Sequence, residues 1–247
     1  TFVPVFWMAT EDHDFEEINH FYFRENYLEW QHQSKGPVGR LSTKELDEFF
    51  REFSAHLGAD EYSEALTKLF KNAYLKQYNL ADATRALVHQ LFGNDGLIVV
   101  DGDDKNLKRL FIPVVKNELE HQIVLSEVTK TNQALKQINS NFKIQVNPRP
   151  LNLFYIKNNL RERIEVNDGI FRLLNTELSW NLEGILQELE AHPERFSPNV
   201  LMRPLYQETI LPNLCYVGGS SELSYWFQLK SCFDAFNLHF PLLLHRS

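Results

Sequence analysis

The chain has 247 residues and a mass of 29.0 kDa, with 43% hydrophobic and 13% aromatic side chains, enough for a packed interior and too much for a disordered chain. Its 33 acidic against 25 basic side chains leave a formal charge of -8, so an extended phosphate backbone is a poor partner and no nucleic acid is expected. Cys215 and Cys232 cannot frame a disulfide-stapled fold, no apolar run is long enough for a bilayer, and the start lacks signal-peptide features, so a cytoplasmic protein with no membrane partner is expected.

In chain order, FVPVFWMA at 2–9 is a continuous apolar run, the pattern of a central parallel strand covered on both faces. EDHDFEEINH at 11–20 reads as a loop and short helix, and FYFRENYLEW at 21–30 as another strand. From Leu41 to Phe92 the pattern is helical. STKE at 42–45 has the form of a capping box ahead of Leu46, Phe49, Phe50 and Phe53, and two further stripes follow at 62–73 and 80–92. GLIVVDGDD at 96–104 repeats the apolar strand ending in carboxylates, and amphipathic helices are predicted over 105–125 and on to Ile138. FKIQV, NLFYI, RERIEV and GIFRLL, separated by Pro, Asn and Gly, predict hairpins. A helix is predicted over 180–191, SPNV at 197–200 places Ser197 at an N-cap with Pro198 at the first helical position, and NLCYVGGSSELSYWFQLK reads as strand, glycine pair and helix before the strand FPLLL.

Strands alternating with helices predict an α/β fold with a parallel sheet, whose ligands bind beyond the carboxyl ends of the strands. Charge therefore follows the apolar run where a buried strand opens into a crevice. Glu11, Asp12, His13 and Asp14 form the first candidate, a polar cluster able to bind an ammonium and move a proton. Two other readings stand beside it: a divalent metal site, disfavoured because no second His or Cys cluster has ligand spacing, and a charged helix N-terminus with no chemistry. Gly218, Gly219 and Ser220 between strand and helix could offer amides to an anion, or form a simple capped turn. Arg203 and Gln207, four apart, could hold a carboxylate or phosphate, or form a surface ion pair; Arg161 and Arg163 share one face of a strand and raise the same two options. The remaining histidines, His20, His32 and His245 among them, read as structural, and both cysteines as buried apolar thiols.

Four blocks in sequence, PVFWMATEDHDFEEIN, FGNDGLIVVDGDDKNLKRLF, NPRPLNLFYIKNNLRERIE and RFSPNVLMRPLYQETILPNLCYVGGSSELSYWFQLK, resemble the bacillithiol biosynthesis cysteine-adding enzyme family. The resemblance runs from about Thr1 to Ser247. It implies a Rossmann-like parallel sheet core with helical and β-rich connecting-peptide insertions: core at 1–40, helical insertion at 41–92, core strand and long helices at 93–139, β-rich insertion at 140–178 and core again at 179–247. It also implies cysteine and glucosaminyl-malate as substrates joined by an amide bond, and a homodimer formed through a coiled coil that this chain lacks, as it lacks the family's N-terminal TGQQ-type segment. Uphill amide formation calls for carboxyl activation, for which an ATP- or ADP-type nucleotide is expected and no metal. Under that reading His13, Asp12 and Asp14 are the catalytic candidates. Glu11, Asn19, Arg203, Gln207, Gly218, Gly219, Ser220 and Glu222 are the substrate-binding ones. A nucleotide- or small-molecule-binding module without turnover and a metal-dependent phosphohydrolase are the alternatives.

Overall fold

The computed structural model describes residues 2–34 and 36–246, so Thr1, which the sequence reading placed in the first strand, lies outside the described residues. The chain is α/β and divides into two compact units, residues 1–104 with 157–161, and residues 105–156 with 162–247.

In the first unit, β1 (Val5–Met8) pairs in parallel with β4 (Ile98–Asp101), and the register sets Met8 against Asp101, so both acidic tips leave the same end of the pair. The expectation of a strand covered on both faces fails: Val5 and Phe6 are 36% and 41% exposed, and among the described residues β1 hydrogen-bonds to β4 alone. The predicted single strand at 21–30 is a hairpin, β2 (His20–Phe23) and β3 (Asn26–Glu29), which turns at Arg24 with φ 56. Helices α1 (Asp47–Leu57), α2 (Glu61–Tyr74) and α3 (Leu80–Phe92) follow the predicted stripes. Asp60 and Asn79 accept the orphan amides of Ser63 and Asp82 at 2.8 Å and so fix where α2 and α3 begin. Their apolar faces enclose Leu28, Phe53 and Leu57 on one side and Phe15, Trp30, Val38 and Leu46 on the other. The expected capping box at 42–45 is only half formed. Ser42 caps a 3-10 turn through the Lys44 amide, while Glu45 pairs with His32 Nδ1 at 3.2 Å instead of reaching back.

The second unit begins with α4 (Lys105–His121) and α5 (Ile123–Ile138). Glu118, fully buried, accepts from the Val124 amide and from the amide and side chain of Asn152, so one carboxylate holds the helix junction and the approach to the sheet. Burial pushes its pKa up against the pull of those donors. The sheet comprises β5 (Leu153–Lys157), β6 (Leu160–Asn167), β7 (Ile170–Leu173), β8 (Ser179–Trp180) and, after α6 (Leu182–Ala191), the edge strand β9 (Phe196–Pro198), in the order β8-β7-β6-β5-β9. The predicted helix start at SPNV is therefore a strand. Pro198 is tolerated at the sheet edge, where no ladder amide is needed, and Asn199 instead accepts from the Leu201 and Met202 amides ahead of α7 (Arg203–Ile210). β10 (Cys215–Gly218) then pairs in parallel with β11 (Leu242–His245), with α8 (Ser220–Phe227) and α9 (Lys230–Ala235) between them. Cys232 is buried as expected, whereas Cys215, on β10, is only half-buried.

FKIQV at 142–146 is not a strand, and the reason is one side chain. Gln228, fully buried, accepts from the Gln145 and Val146 amides at 3.0 and 3.2 Å and donates to the Val146 carbonyl and to Asn132 at 2.8 and 2.9 Å. Those backbone groups have no need of a neighbouring strand. Gln228→Leu removes their shared partner from a segment that is itself half-exposed and should cost about 1–3 kcal/mol, read as a fall in the urea midpoint with faster amide exchange at 145 and 146. In the first unit, a Cβ on Gly36 would stand 2.6 Å from the Asn159 carbonyl oxygen. Gly36→Ala should lower thermal stability by about 1–3 kcal/mol by forcing that backbone apart.

Candidate functional site

The acidic tip after β1 folds around a buried cation. Arg161, 8% exposed, places Nη1 2.8 Å from His13 Nδ1 and 3.7 Å from Asp12 Oδ1. Burial pulls its guanidinium below the ordinary arginine value, and the charges of Glu11, Asp12, Asp14 and Asp103 pull the other way. The tip itself is held by backbone: the Val38 and Gly39 amides donate to the Asp12 and Thr10 carbonyls at 2.7 and 2.9 Å. Asp12, His13 and Asp14 each bring one ligand atom within 4.8 Å of the others, a spacing compatible with a cation, and the positive charge lying against them is Arg161. Neither option raised for Arg161 describes it, since it lies buried against the protein's own acidic tip and not on an exposed sheet face. The second acidic tip is committed to the fold as well: Asp101 accepts from Thr10 and Arg85, and Asp103 holds Arg40 through two contacts of 2.5 and 2.8 Å.

Beside the first tip lies a cavity of roughly 1330 Å³ within the first unit. Its walls are the 13–20 segment, Tyr27 and Glu29 of β3, residues 31–34 and 36–37, Arg40, Leu41 and Asn159. Among the described lining residues, Asp14, Glu16, Glu17 and Glu29 supply four carboxylates, and His13, His20 and His32 three imidazoles, against the single guanidinium of Arg40. Such a surface favours a cationic, hydrogen-bonding ligand. Of the sequence candidates in this unit, His13, Asp14 and Asn19 line the cavity, while buried Glu11 and exposed Asp12 are not among its lining residues. His20, His32 and Glu29 were not singled out in the sequence. The one available signal was the run of histidine and carboxylate from 11 to 32, diluted by the aromatic residues between.

The remaining candidates belong to the second unit. Arg203 does not form a surface ion pair: Nη2 donates to the Tyr225 and Tyr216 hydroxyls at 2.9 and 3.3 Å, and Nη1 to Gln207 at 3.2 Å. Burial pulls the guanidinium down, yet the two phenols hold it above its ordinary value, and burial pushes the Tyr216 hydroxyl up to about 12. Tyr216 donates in turn to Glu222 at 2.9 Å, whose other oxygen accepts the Gly219 amide at 2.9 Å. Glu222 thus caps the start of α8, the place the sequence reading gave to an anionic ligand. Gly218 is required here, since a Cβ would meet the Tyr216 ring at 2.7 Å. Ser220 Oγ lies 2.8 Å from His245 Nε2 at the carboxyl ends of β10 and β11.

A family model described as "Bacillithiol biosynthesis BshC, N-terminal Rossmann-like domain" matches residues 1–247. Curated proteins named "Putative cysteine ligase BshC" match throughout, with 55% identity over 246 residues in Flavobacterium johnsoniae, 52% over 246 residues in Flavobacterium psychrophilum and 32% over 253 residues in Lysinibacillus sphaericus. The first two cover all of this chain and 46% of their own length, the third 99% of this chain and 47% of its own, so the chain spans about half the length of the curated relatives it matches. Matched along its whole length and carrying two parallel strand pairs, the chain belongs to the Rossmann-like domain family of bacillithiol biosynthesis BshC.

Proposed function

We propose that this chain supplies the amine-binding part of a ligase that adds cysteine to glucosaminyl-malate by amide bond formation, with the cysteine carboxyl activated by an ATP- or ADP-type nucleotide. The observation that carries the reading is the acid-rich, histidine-lined cavity beside the β1 tip. An amino-sugar carries both an ammonium for Asp14, Glu16, Glu17 and Glu29 and hydroxyls for the neutral amides and aromatic edges around them. Phosphates fit the same wall poorly, since its described residues carry four carboxylates to one guanidinium. In the second unit Gly218, Gly219 and Ser220 remain the proposed contacts for an anionic group, with Arg203 behind them as a fixed positive charge. No helix among the described residues is long and apolar enough to cross a membrane, and a cytoplasmic location and a family homodimer belong to the same proposal.

A binding module without turnover is the second reading. It is favoured by the internal closure of Arg203 and Glu222, whose hydrogen bonds are made within the protein.

Thermal denaturation with glucosaminyl-malate, glucosamine, cysteine and ATP in turn tests the assignment, because a ligand that binds only the folded state raises the melting temperature. Glucosaminyl-malate should stabilise the chain, and Asp14→Asn with Glu17→Gln should weaken its binding about tenfold, about 1.4 kcal/mol. Stabilisation by ATP that this double variant abolishes, with none by either amine, would assign the cavity to the nucleotide instead.

A further inference from the structure

The cavity holds imidazoles in opposite protonation patterns, and the neighbours of each ring dictate which. A guanidinium has only donors, so the 2.8 Å contact from Arg161 Nη1 makes His13 Nδ1 an acceptor and leaves the proton of the neutral ring on Nε2. Asp12 Oδ1 also lies 3.4 Å from that nitrogen, which would suit the other tautomer, but this oxygen already accepts the His13 amide at 2.7 Å. The shorter contact decides, since an N–H on Nδ1 would point at the donors of Arg161. His20 is fixed the other way. Asn19 Nδ2 donates to Glu29 Oε1 at 3.2 Å, and an ionised carboxylate only accepts, so the amide cannot be reversed. Its Oδ1 therefore faces His20 Nδ1 at 2.9 Å, which must carry the proton, and the lone pair of His20 lies on Nε2. The hairpin register sets His20 directly opposite Glu29, so this chain of contacts is built into the β2–β3 pairing.

We propose that His20 is the general base of this cavity, with Asn19 and Glu29 as its positioning residues and His13 as a hydrogen-bond donor to a ligand oxygen. This rests on the reading that the cavity takes an amine. The ammonium of the ligand passes one proton to His20 Nε2, becoming a free amine whose nitrogen lone pair can attack an activated carboxyl carbon. The imidazolium that results is offset by Glu29 through Asn19, in the manner of an acid that orients a catalytic histidine. His13 cannot take this role while Arg161 occupies Nδ1, because its Nε2 already holds a proton. His32 bonds to the exposed Glu45 and lies flat on Trp30, with ring centroids 4.9 Å apart, as part of the apolar packing.

Long-range proton–nitrogen correlation spectra of the histidine-labelled chain above about pH 8, well over the ordinary imidazole value, read each tautomer directly. His13→Gln and His20→Gln variants assign the signals. The expected result is a proton on Nε2 of His13 and on Nδ1 of His20; Asn19→Ala should lose the His20 pattern, and Glu29→Gln, whose amide can donate as well as accept, should let the Asn19 amide reverse and mix the two His20 tautomers. A proton on Nε2 of His20, or an unchanged His20 pattern in folded Asn19→Ala, overturns the proposal whatever the ligand. With both tautomers as expected, glucosaminyl-malate should shift the His20 Nε2 signal toward the protonated form. If neither it nor cysteine moves any cavity histidine, the amine reading of the cavity falls, and the base assignment with it.

Discussion

A guanidinium taken out of water has to be surrounded by acceptors and negative charge, and Arg161 is met by the acidic tip that follows β1. Removing the acidic side would strand the buried guanidinium, whereas half-exposed Asp12, 3.7 Å away and screened by water, adds little by itself. This explains why a strongly apolar segment is followed at once by Glu11, Asp12, His13 and Asp14. The cluster neutralises a buried cation from residues 157–161, and the carboxylate left on the cavity side, Asp14, faces the space beside it. Arg161 therefore orients His13 and draws charge to the tip, whose backbone path the Val38 and Gly39 amides hold.

The second unit solves a similar problem without a direct counter-ion. Arg203 is wrapped by two phenols and an amide, and among the described contacts negative charge reaches it through Tyr216 and Glu222. Hydrogen bonds to a charged group are stronger than neutral ones, which makes such a relay a stiff scaffold. Because Glu222 also caps α8, the positive charge of Arg203 is coupled to the glycine turn at the end of β10. A ligand anion at that turn would compete with Glu222 for the same amides, so selectivity there depends on how readily one carboxylate yields.

Much of this architecture was legible in the sequence because it is written in periodicity. The stripes of 49–53, 62–73 and 80–92 became α1 to α3, and the two apolar runs at 2–9 and 96–101 became a parallel pair. Failures came where a single side chain outweighed local pattern. Gln228 satisfies the backbone of FKIQV and removes its need for a sheet, and Asn199 takes the capping role that Ser197 would have had, leaving Pro198 at a sheet edge. The candidate residues His13 and Asp14 were visible because they are consecutive. His20 and Glu29 were not, since their proximity depends on a hairpin register and a turn at Arg24 that an aromatic-rich run does not announce.

Histidine is the residue whose chemistry a sequence conceals most, because its two nitrogens exchange roles at little intrinsic cost. What removes the ambiguity is a neighbour that can play only one part. Arginine can only donate and an ionised carboxylate can only accept, so a chain of contacts that begins on either propagates a definite direction. Arg161 acts on His13 in one step, and Glu29 acts on His20 in two, with the Asn19 amide reversing nothing because both of its ends are taken. Donor and acceptor thus come to line the same acid-rich cavity, and the polarity of the site follows from residues that need not touch a ligand at all.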